Sequence, residues 1–154
     1  MDGNLVLFKD GRFHMAGISL CIPDGYYLDM DPSEPLGDVT FELVAPCKTH
    51  RVSIHVSYDK FPPGEQLIYM VTEMGSKMLS KPEPITLAGL HGSIAVYMTS
   101  RHIYVEAIFT MDDYEEHNAL HLVFIFPKDY DTADFTESDA YLQIARSIQC
   151  ETNI

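Results

Sequence analysis

This sequence of 154 residues has few cysteines, few basic residues and no long apolar run. Its three cysteines form no CxxC pair, which is typical of thiols in a reducing compartment. No stretch approaches the roughly 18 consecutive apolar residues that a transmembrane helix needs. Residues 1–12 show neither the basic start nor the long apolar core of a secretion signal. We therefore expect a cytoplasmic protein that spans no membrane.

The shortage of basic residues also bears on partners. The chain has 23 Asp and Glu against 10 Lys and Arg, and its formal net charge is −13 at pH 7. Affinity for nucleic acid and for anionic lipid surfaces depends on clustered Lys and Arg, so we expect neither as a partner. Residues 112–139 hold nine of the acidic residues and a single basic one, Lys128. A solvated surface explains this acidity, and a basic protein or a metal is the alternative.

The most informative stretch is 51–79. Over 51–58 apolar residues alternate with polar ones, which predicts a half-buried strand with Tyr58 at the end of its apolar side. The sequence Phe61-Pro62-Pro63-Gly64 then predicts a turn. From Glu65 the apolar residues recur at helical spacing, so we expect an amphipathic helix over 65–79 that is stopped by the prolines of 81–84. Its buried stripe is expected to be Leu67, Met70, Val71, Met74 and Met78.

The rest of the pattern predicts a mostly antiparallel sheet and a second helix. Asp10-Gly11 favours a tight turn within an opening hairpin, and a loop is expected over 30–38. The second helix is expected to begin near Thr136, whose hydroxyl caps it. We thus predict one α+β domain over 1–154, with about six to seven strands and two main helices. The further strands are expected at 4–8, 12–15, 17–22, 26–29, 39–44, 93–99, 102–111 and 119–126, with a polar loop over 112–118.

Four segments together resemble the PsbP-like superfamily, and the resemblance covers nearly the whole chain. They are the strand–Pro–Gly–aromatic opening GISLCIPDGY (17–26), Val52-Ser53-Ile54 leading through Pro63-Gly64-Glu65 into the first helix, the apolar–Gly element ITLAGLHG (85–92), and a final helix ending at Ser147-Ile148. This resemblance implies an α/β/α sandwich, and the bacterial branch of the superfamily looks most similar.

The superfamily includes the PsbP subunits of photosystem II, the Mog-type proteins that bind the Ran GTPase, the bacterial DcrB-like proteins, and the Eag-type chaperones of type VI secretion effectors. A photosystem subunit would be expected to carry a targeting segment, which residues 1–12 do not show. The resemblance therefore implies a non-enzymatic module that binds another protein, as an adaptor or chaperone of the DcrB or Eag type, with a homodimer as a further expectation. No site residue follows from it.

Motifs for catalysis or for metal binding are incomplete. Cys47 and His50 form a C-x2-H pair, which is half of a zinc site or a thiol beside a base, yet two further ligands at suitable spacing are missing. Asp29 and Asp31 resemble the start of a calcium loop, but Glu34 occupies the position that requires glycine. No GxSxG elbow or phosphate-binding glycine motif occurs. We expect no catalytic residue, no metal and no cofactor.

The outward sides of two predicted strands suggest a surface for a protein partner. If the strands 51–58 and 102–111 are neighbours, their outer faces form a platform of Tyr, His and polar groups suited to recognition. The alternative is that a loop or the last helix covers this face, and strand 119–126, apolar on both sides, favours that alternative and a central position. The predicted partner-binding residues are Arg51, Ser53, His55, Ser57, His102, Tyr104 and Glu106.

A rival class of function is a small-molecule-binding domain or a small hydrolase whose pocket is not visible in the sequence. A deep cleft with a Cys or Ser within hydrogen-bond reach of a His would favour it. Fold resemblance supports the protein-binding hypothesis only by association, because one fold serves many functions.

Overall fold

The computed structural model describes residues 7–9, 12–15, 18–21, 25–29, 39–114 and 117–150. The helices are α1 (Pro63–Met74) and α2 (Asp139–Ser147), and a 3₁₀ turn spans Phe135–Glu137. The strands are β1 (Leu7–Lys9), β2 (Arg12–Met15), β3 (Ile18–Cys21), β4 (Tyr27–Asp29), β5 (Val39–Val44), β6 (Arg51–Ser57), β7 (Lys77–Met78), β8 (Glu83–Leu87), β9 (Leu90–Met98), β10 (His102–Tyr114), β11 (His117–Pro127) and β12 (Gln149–Cys150).

An eight-stranded antiparallel sheet dominates the described part of the chain. Its order is β4-β5-β6-β11-β10-β9-β7, and β8 pairs with β9 as well. A smaller antiparallel sheet has the order β1-β2-β3-β12. Consecutive strands are mostly joined as hairpins, which is the connection that antiparallel pairing allows. The predicted α+β fold with an antiparallel sheet and two main helices is confirmed.

The two helices pack on opposite faces of the large sheet. Successive residues of a strand point to opposite faces, and on the central strand β11 Leu120 joins the cluster of α2, whereas Ala119 joins that of α1. On the α2 face, Tyr141 and Ile144 bury against the sheet. On the α1 face, Leu67 packs against Ile108 and Ala119. We call these the α2 face and the α1 face. Neither helix of the described residues is long and apolar enough to cross a bilayer.

The first helix is shorter than its apolar spacing predicts. It ends at Met74 because Gly75 takes a left-handed conformation (φ 67°) and its N–H closes the last turn on Thr72 O. The chain then returns to the sheet as β7, so Met78 belongs to a strand, and Met74 is 54% exposed rather than buried. The apolar residues keep helical spacing beyond Gly75, but the left-handed conformation of this glycine ends the helix.

Other boundaries also differ from prediction. Strand β8 was expected only as a connection, and its edge position tolerates Pro84, which lacks an N–H for the sheet. Helix α2 is capped by Ser138, whose Oγ accepts from Tyr141 N at 3.3 Å, and not by Thr136, which lies in the 3₁₀ turn. Because β6 ends at Ser57, Tyr58 does not extend its buried side.

Strands β10 and β11 run further than predicted, to Tyr114 and from His117, so they take up part of the expected loop 112–118. Strands β5 and β6 lie as predicted, within one residue. The expected turn Asp10-Gly11, the loop 30–38 and Asp31 of the calcium-like sequence lie outside the described residues.

Candidate functional site

Four buried side chains form a chain of hydrogen bonds on the α1 face, which we call the His121 network. The Nδ1 atom of His121 lies 2.7 Å from Glu106 Oε2, and its Nε2 atom lies 2.7 Å from Asp59 Oδ2. The hydroxyl of Tyr97 donates to Glu106 Oε1 at 2.7 Å. The side chains of His121, Glu106 and Asp59 are only 2%, 1% and 7% exposed. Two acidic groups and an imidazole are thus held together away from water.

The register of three strands places these groups together. On β10, Glu106 is opposite Val123 of β11 and Ala95 of β9, which lie two residues along their strands from His121 and Tyr97. Side chains on the same face of neighbouring strands contact each other along such diagonals. Asp59 comes from the connection after β6, where the hydroxyl of Ser57 donates to its Oδ1 at 2.7 Å.

The protonation states follow from these contacts. Burial by itself lowers the pKa of His121, but the hydrogen bonds and negative charges of Asp59 and Glu106 outweigh burial and raise the pKa to about 9. Burial by itself raises the pKa of Asp59, yet the hydrogen bond and charge of His121, with the Ser57 hydroxyl, lower it. Burial and the adjacent Glu106 raise the pKa of Tyr97. His121 is therefore an imidazolium at neutral pH.

The network leaves His121 no free ring nitrogen. A general base needs an unprotonated nitrogen that faces its substrate, and a metal ligand needs a free lone pair. Both nitrogens of His121 instead bond to carboxyl groups of the protein. The described residues also contain no group of three or more His, Cys, Asp or Glu arranged to hold a metal ion. The arrangement is suited to holding the structure around it in place.

Asp59 links the network to the β6–α1 connection, residues 58–62. Its backbone N–H donates to Asn118 Oδ1 at 2.8 Å, and Asn118 Nδ2 donates to its carbonyl at 3.1 Å. Further along, Phe61 N–H donates to Oε1 of Gln66, a buried residue of α1, at 3.3 Å. The connection is therefore fastened to β11 at one end and to α1 at the other.

The β6–α1 connection and the adjoining helix α1 display large apolar side chains to solvent. Tyr58 is 68% exposed, Phe61 38%, Ile68 52% and Tyr69 40%. The rings of Phe61 and Tyr69 lie 5.1 Å apart between centroids, so the connection and the outer side of α1 meet at these two residues. We call these four residues the aromatic surface. Single exposed apolar residues are ordinary, whereas a group of them marks an interaction site.

A cavity of about 380 Å³ adjoins the aromatic surface at Phe61. Asp59 and Asn118 contribute its polar wall, and both are already hydrogen-bonded to each other. Its lining residues are Asp59, Lys60, Phe61, Pro62, Pro63, Ile108, Thr110, Met111, Asn118 and Ala119. The cavity is mostly apolar and has the size range of ligand and side-chain pockets.

The predicted partner platform is divided in the structure. Strand β11 lies between β6 and β10, so the two strands are not neighbours. Glu106 is 1% exposed and cannot be reached by a partner, because its charge is paired within the sheet; its assignment to an accessible surface was wrong. Two other predicted residues contact the His121 network. The hydroxyl of Ser57 donates to Asp59, and the ring of His55 stacks on that of His121 with centroids 4.4 Å apart.

The other predicted partner residues lie outside these bonds. Arg51 is exposed and pairs with Glu42, and Ser53 is partly buried. His102 and Tyr104 are partly buried with their ring centroids 6.1 Å apart, and Tyr104 stacks on the ring of Tyr97. A binding role for these residues stays a prediction.

Sequence reasoning did not single out Asp59, Tyr97 or His121. A signal existed for His121, because an imidazole in a strand that is apolar on both sides must be buried, and a buried polar group needs a partner. Asp59 had no such signal. It lies in a turn, and its partner is 62 positions away in the sequence.

The C-x2-H pair separates into two different environments. Cys47 is exposed, and its Sγ lies 3.1 Å from Thr49 Oγ1. Hydrogen bonds from the Thr49 hydroxyl and from nearby backbone lower the pKa of the Cys47 thiol. The ring of His50 instead packs edge-on against Phe126 and Tyr130, with centroids 4.7 and 5.3 Å away.

Comparison with known proteins supports the fold. The chain is similar to the crystal structure of LpqN, a protein involved in cell envelope biogenesis of Mycobacterium tuberculosis, with a TM-score of 0.50 and 14% identity over 88% of this chain and 83% of LpqN. A crystal structure from Bacteroides thetaiotaomicron VPI-5482 has a TM-score of 0.49 and 12% identity over 89% of this chain. This chain spans about half of that protein, 46% of its length. No protein-family model matches the chain, and a search of curated proteins found no similar sequence.

Proposed function

We propose that this domain is a protein-binding module, of the adaptor or chaperone type, that recognises its partner through the aromatic surface. The observation that carries the proposal is the exposure of four large apolar side chains, between 38% and 68%, on the β6–α1 connection and the adjoining helix α1. Tyr and Phe provide wide contact area with few rotatable bonds, and aromatic residues are enriched at the centres of interfaces.

The His121 network gives the aromatic surface its rigidity. A flexible loop loses conformational entropy when a partner orders it, and that loss weakens binding. Here the connection is already ordered by hydrogen bonds: the backbone N–H groups of Asp59 and Phe61 donate to Asn118 and Gln66, and the Asp59 carboxylate bonds to His121. In this proposal, the His121 network positions the β6–α1 connection, which meets the partner. This role needs no free ring nitrogen on His121.

The cavity beside Phe61 supports the same role. Interface anchors are side chains that fill well-packed pockets in the other protein. An aromatic or aliphatic side chain of a partner would enter the cavity of about 380 Å³ while its neighbours cover Phe61 and Tyr69. A second copy of this chain is one such partner, and sedimentation of the pure protein distinguishes a homodimer from a complex with another protein.

Affinity capture with two matched variants tests this proposal. The tagged protein is used on its native lysate at moderate salt, so that charge by itself does not recruit basic proteins. One variant carries Tyr58→Ala and Ile68→Ala on the aromatic surface. The other carries His102→Ala and Tyr104→Ala on the outer sheet positions predicted from the sequence. Circular dichroism confirms that both variants are folded.

We expect one near-stoichiometric partner that is lost with the first variant and retained with the second. Loss with the second variant only would move the interface to the sheet positions. Retention by both variants, or no partner for the wild-type protein, would contradict the proposed surface.

Small-molecule binding is a second candidate, and the cavity is the observation that favours it. Native mass spectrometry of the protein purified from its own source would show a bound compound as a discrete added mass. A mass that disappears when Thr110→Trp, at an exposed position of the lining, fills the cavity would support this function over protein binding.

A further inference from the structure

A second concave feature lies on the α2 face of the sheet, away from the aromatic surface. It is a cleft of about 540 Å³ between the β8–β9 edge and the segment that precedes α2. Its floor is apolar: Val105 and Phe135 are buried, and Val96, which faces Val105 across the β9–β10 pair, is partly buried. We call it the acidic cleft because of its rim.

Three carboxylates stand on the rim. Glu83 comes from the edge strand β8, and Asp131 and Asp134 come from the opposite wall. All three are exposed, and within the described residues none of them forms an ion pair. Asp131 Oδ1 accepts from Ala133 N–H at 2.9 Å, which holds the turn that carries both aspartates. The cleft therefore joins an apolar floor to a rim that carries three exposed carboxylates.

We propose that the acidic cleft binds a peptide segment of a partner protein that carries Lys or Arg next to apolar side chains. The apolar part lies on Val96, Val105 and Phe135, and the cationic head remains at the rim beside the carboxylates. Long basic side chains bind in this way, with the aliphatic stem on apolar surface and the charge close to water. The net charge of −13 also attracts a basic partner over long range.

This inference goes beyond the proposed function, because the cleft and the aromatic surface lie on opposite faces of the sheet. It takes from that proposal only that the partner is a protein. A small organic cation is the competing ligand. Charge at an exposed rim, with an apolar floor beneath it, favours a side chain that is both aliphatic and cationic over a fully polar amine.

Titration with synthetic peptides, followed by amide NMR shifts, tests the proposal on the full chain. The probe is the blocked hexapeptide Gly-Leu-Lys-Leu-Arg-Gly. One control peptide has glycine in place of both leucines, another has glutamate in place of both basic residues, and spermidine represents a small polar cation. We expect saturable shifts at Val96, Ala133 and Phe135 with the probe peptide, weaker binding at high salt, and much smaller shifts with each control compound.

Two charge-matched variants locate the site. Asp131→Asn with Asp134→Asn removes two charges from the rim and retains their shape, and asparagine suits the positive φ of position 134. Glu65→Gln with Glu73→Gln removes the same charge from α1. We expect the rim variant to bind the probe roughly fivefold more weakly and the α1 variant to bind it like the wild type.

If both variants bind the probe peptide equally weakly, only the net charge of the protein matters, and the proposed binding site at the acidic cleft is wrong. Shifts centred on α1, or no shifts at all, would also contradict this site. If spermidine binds as tightly as the probe, the proposal of a peptide ligand is wrong and the cleft binds a small cation. Because the probe is synthetic, each of these results is independent of whether the aromatic surface captures a partner.

Discussion

The Nε2 atom of His121 lies 2.7 Å from Oδ2 of Asp59, although the two residues are 62 positions apart in the sequence. His121 belongs to the central strand β11, and Asp59 belongs to the connection that carries Tyr58 and Phe61. This contact therefore ties the proposed recognition segment to the middle of the sheet. Its removal should affect both folding stability and the order of the segment.

Replacement of His121 by glutamine should destabilise the fold strongly. The change removes a buried positive charge and leaves Asp59 and Glu106 close together without it. Loss of one partner from a buried charge pair typically costs about 3–5 kcal/mol. Urea unfolding measures the change. His91→Gln is the matched control, since His91 is exposed and bonds only to Thr86 among the described contacts, and it should alter the free energy of unfolding by less than about 0.5 kcal/mol. A His121→Gln variant as stable as this control would show that the network contributes nothing.

Stability should decrease as the pH rises above neutrality. The pKa of His121 is 6.5 when unperturbed and about 9 in the folded protein, so the folded state binds this proton more tightly than the unfolded state does. The resulting stabilisation is complete below pH 6.5 and is lost as the pH rises to about 9. It amounts to roughly 3 kcal/mol. Asp59 acts in the opposite pH range. Its pKa is lower in the folded protein, so its carboxylate stabilises the fold at pH values above its ordinary pKa, and this stabilisation is lost as the pH falls.

Urea unfolding at a series of pH values measures this dependence. The groups that face His121 are Asp59, Glu106 and the stacked ring of His55, with Tyr97 bonded to Glu106. The His121→Gln variant is the control, and its stability should lack most of the decline between neutral and alkaline pH. If the variant and the wild type decline in parallel, another group causes the dependence.

Tyr97→Phe should cost about 1.5–3 kcal/mol of folding free energy, because it removes the hydroxyl that donates to the buried carboxyl group of Glu106. Tyr104→Phe makes the same chemical change on the ring that stacks on Tyr97. No hydrogen bond of the Tyr104 hydroxyl is seen within the described part of the chain, so this control should be nearly neutral. Thermal unfolding compares the two, and equal losses would show that the hydrogen bond to Glu106 contributes nothing beyond the loss of a tyrosine hydroxyl.

The thiol of Cys47 should react readily with iodoacetamide at neutral pH. It is exposed, and the hydroxyl of Thr49 makes the largest contribution to lowering its pKa, which increases the fraction of reactive thiolate. Thr49→Val keeps the shape of the side chain and removes that hydroxyl, so alkylation of Cys47 should slow several-fold. Peptide mass spectrometry identifies the modified site. An unchanged rate would show that the backbone hydrogen bonds of the turn are sufficient without Thr49.

The sequence alone determined the elements that depend on local periodicity. Alternation predicted β6, because a half-buried strand must place apolar residues on one side, and a run that is apolar on both sides predicted the core of β11 as a central strand. Spacing likewise predicted the burial of Leu67 and Val71 in α1, whereas Met74 is exposed and Met78 lies beyond the helix, which ends before Gly75. Fold class follows from such patterns, since hairpin-length connections between strands require antiparallel pairing.

Tertiary structure alone decided the site. Strand order places β11 between β6 and β10, and that order depends on non-local pairing that no short pattern encodes. Glu106 was expected at the surface because its strand position alternates with apolar residues, yet it is buried, and Tyr97 and His121 of the neighbouring strands bond to its carboxyl group. Asp59 meets His121 only because β6 pairs with β11 in one register. A burial pattern is a property of each segment, whereas a contact between segments is a property of the whole fold.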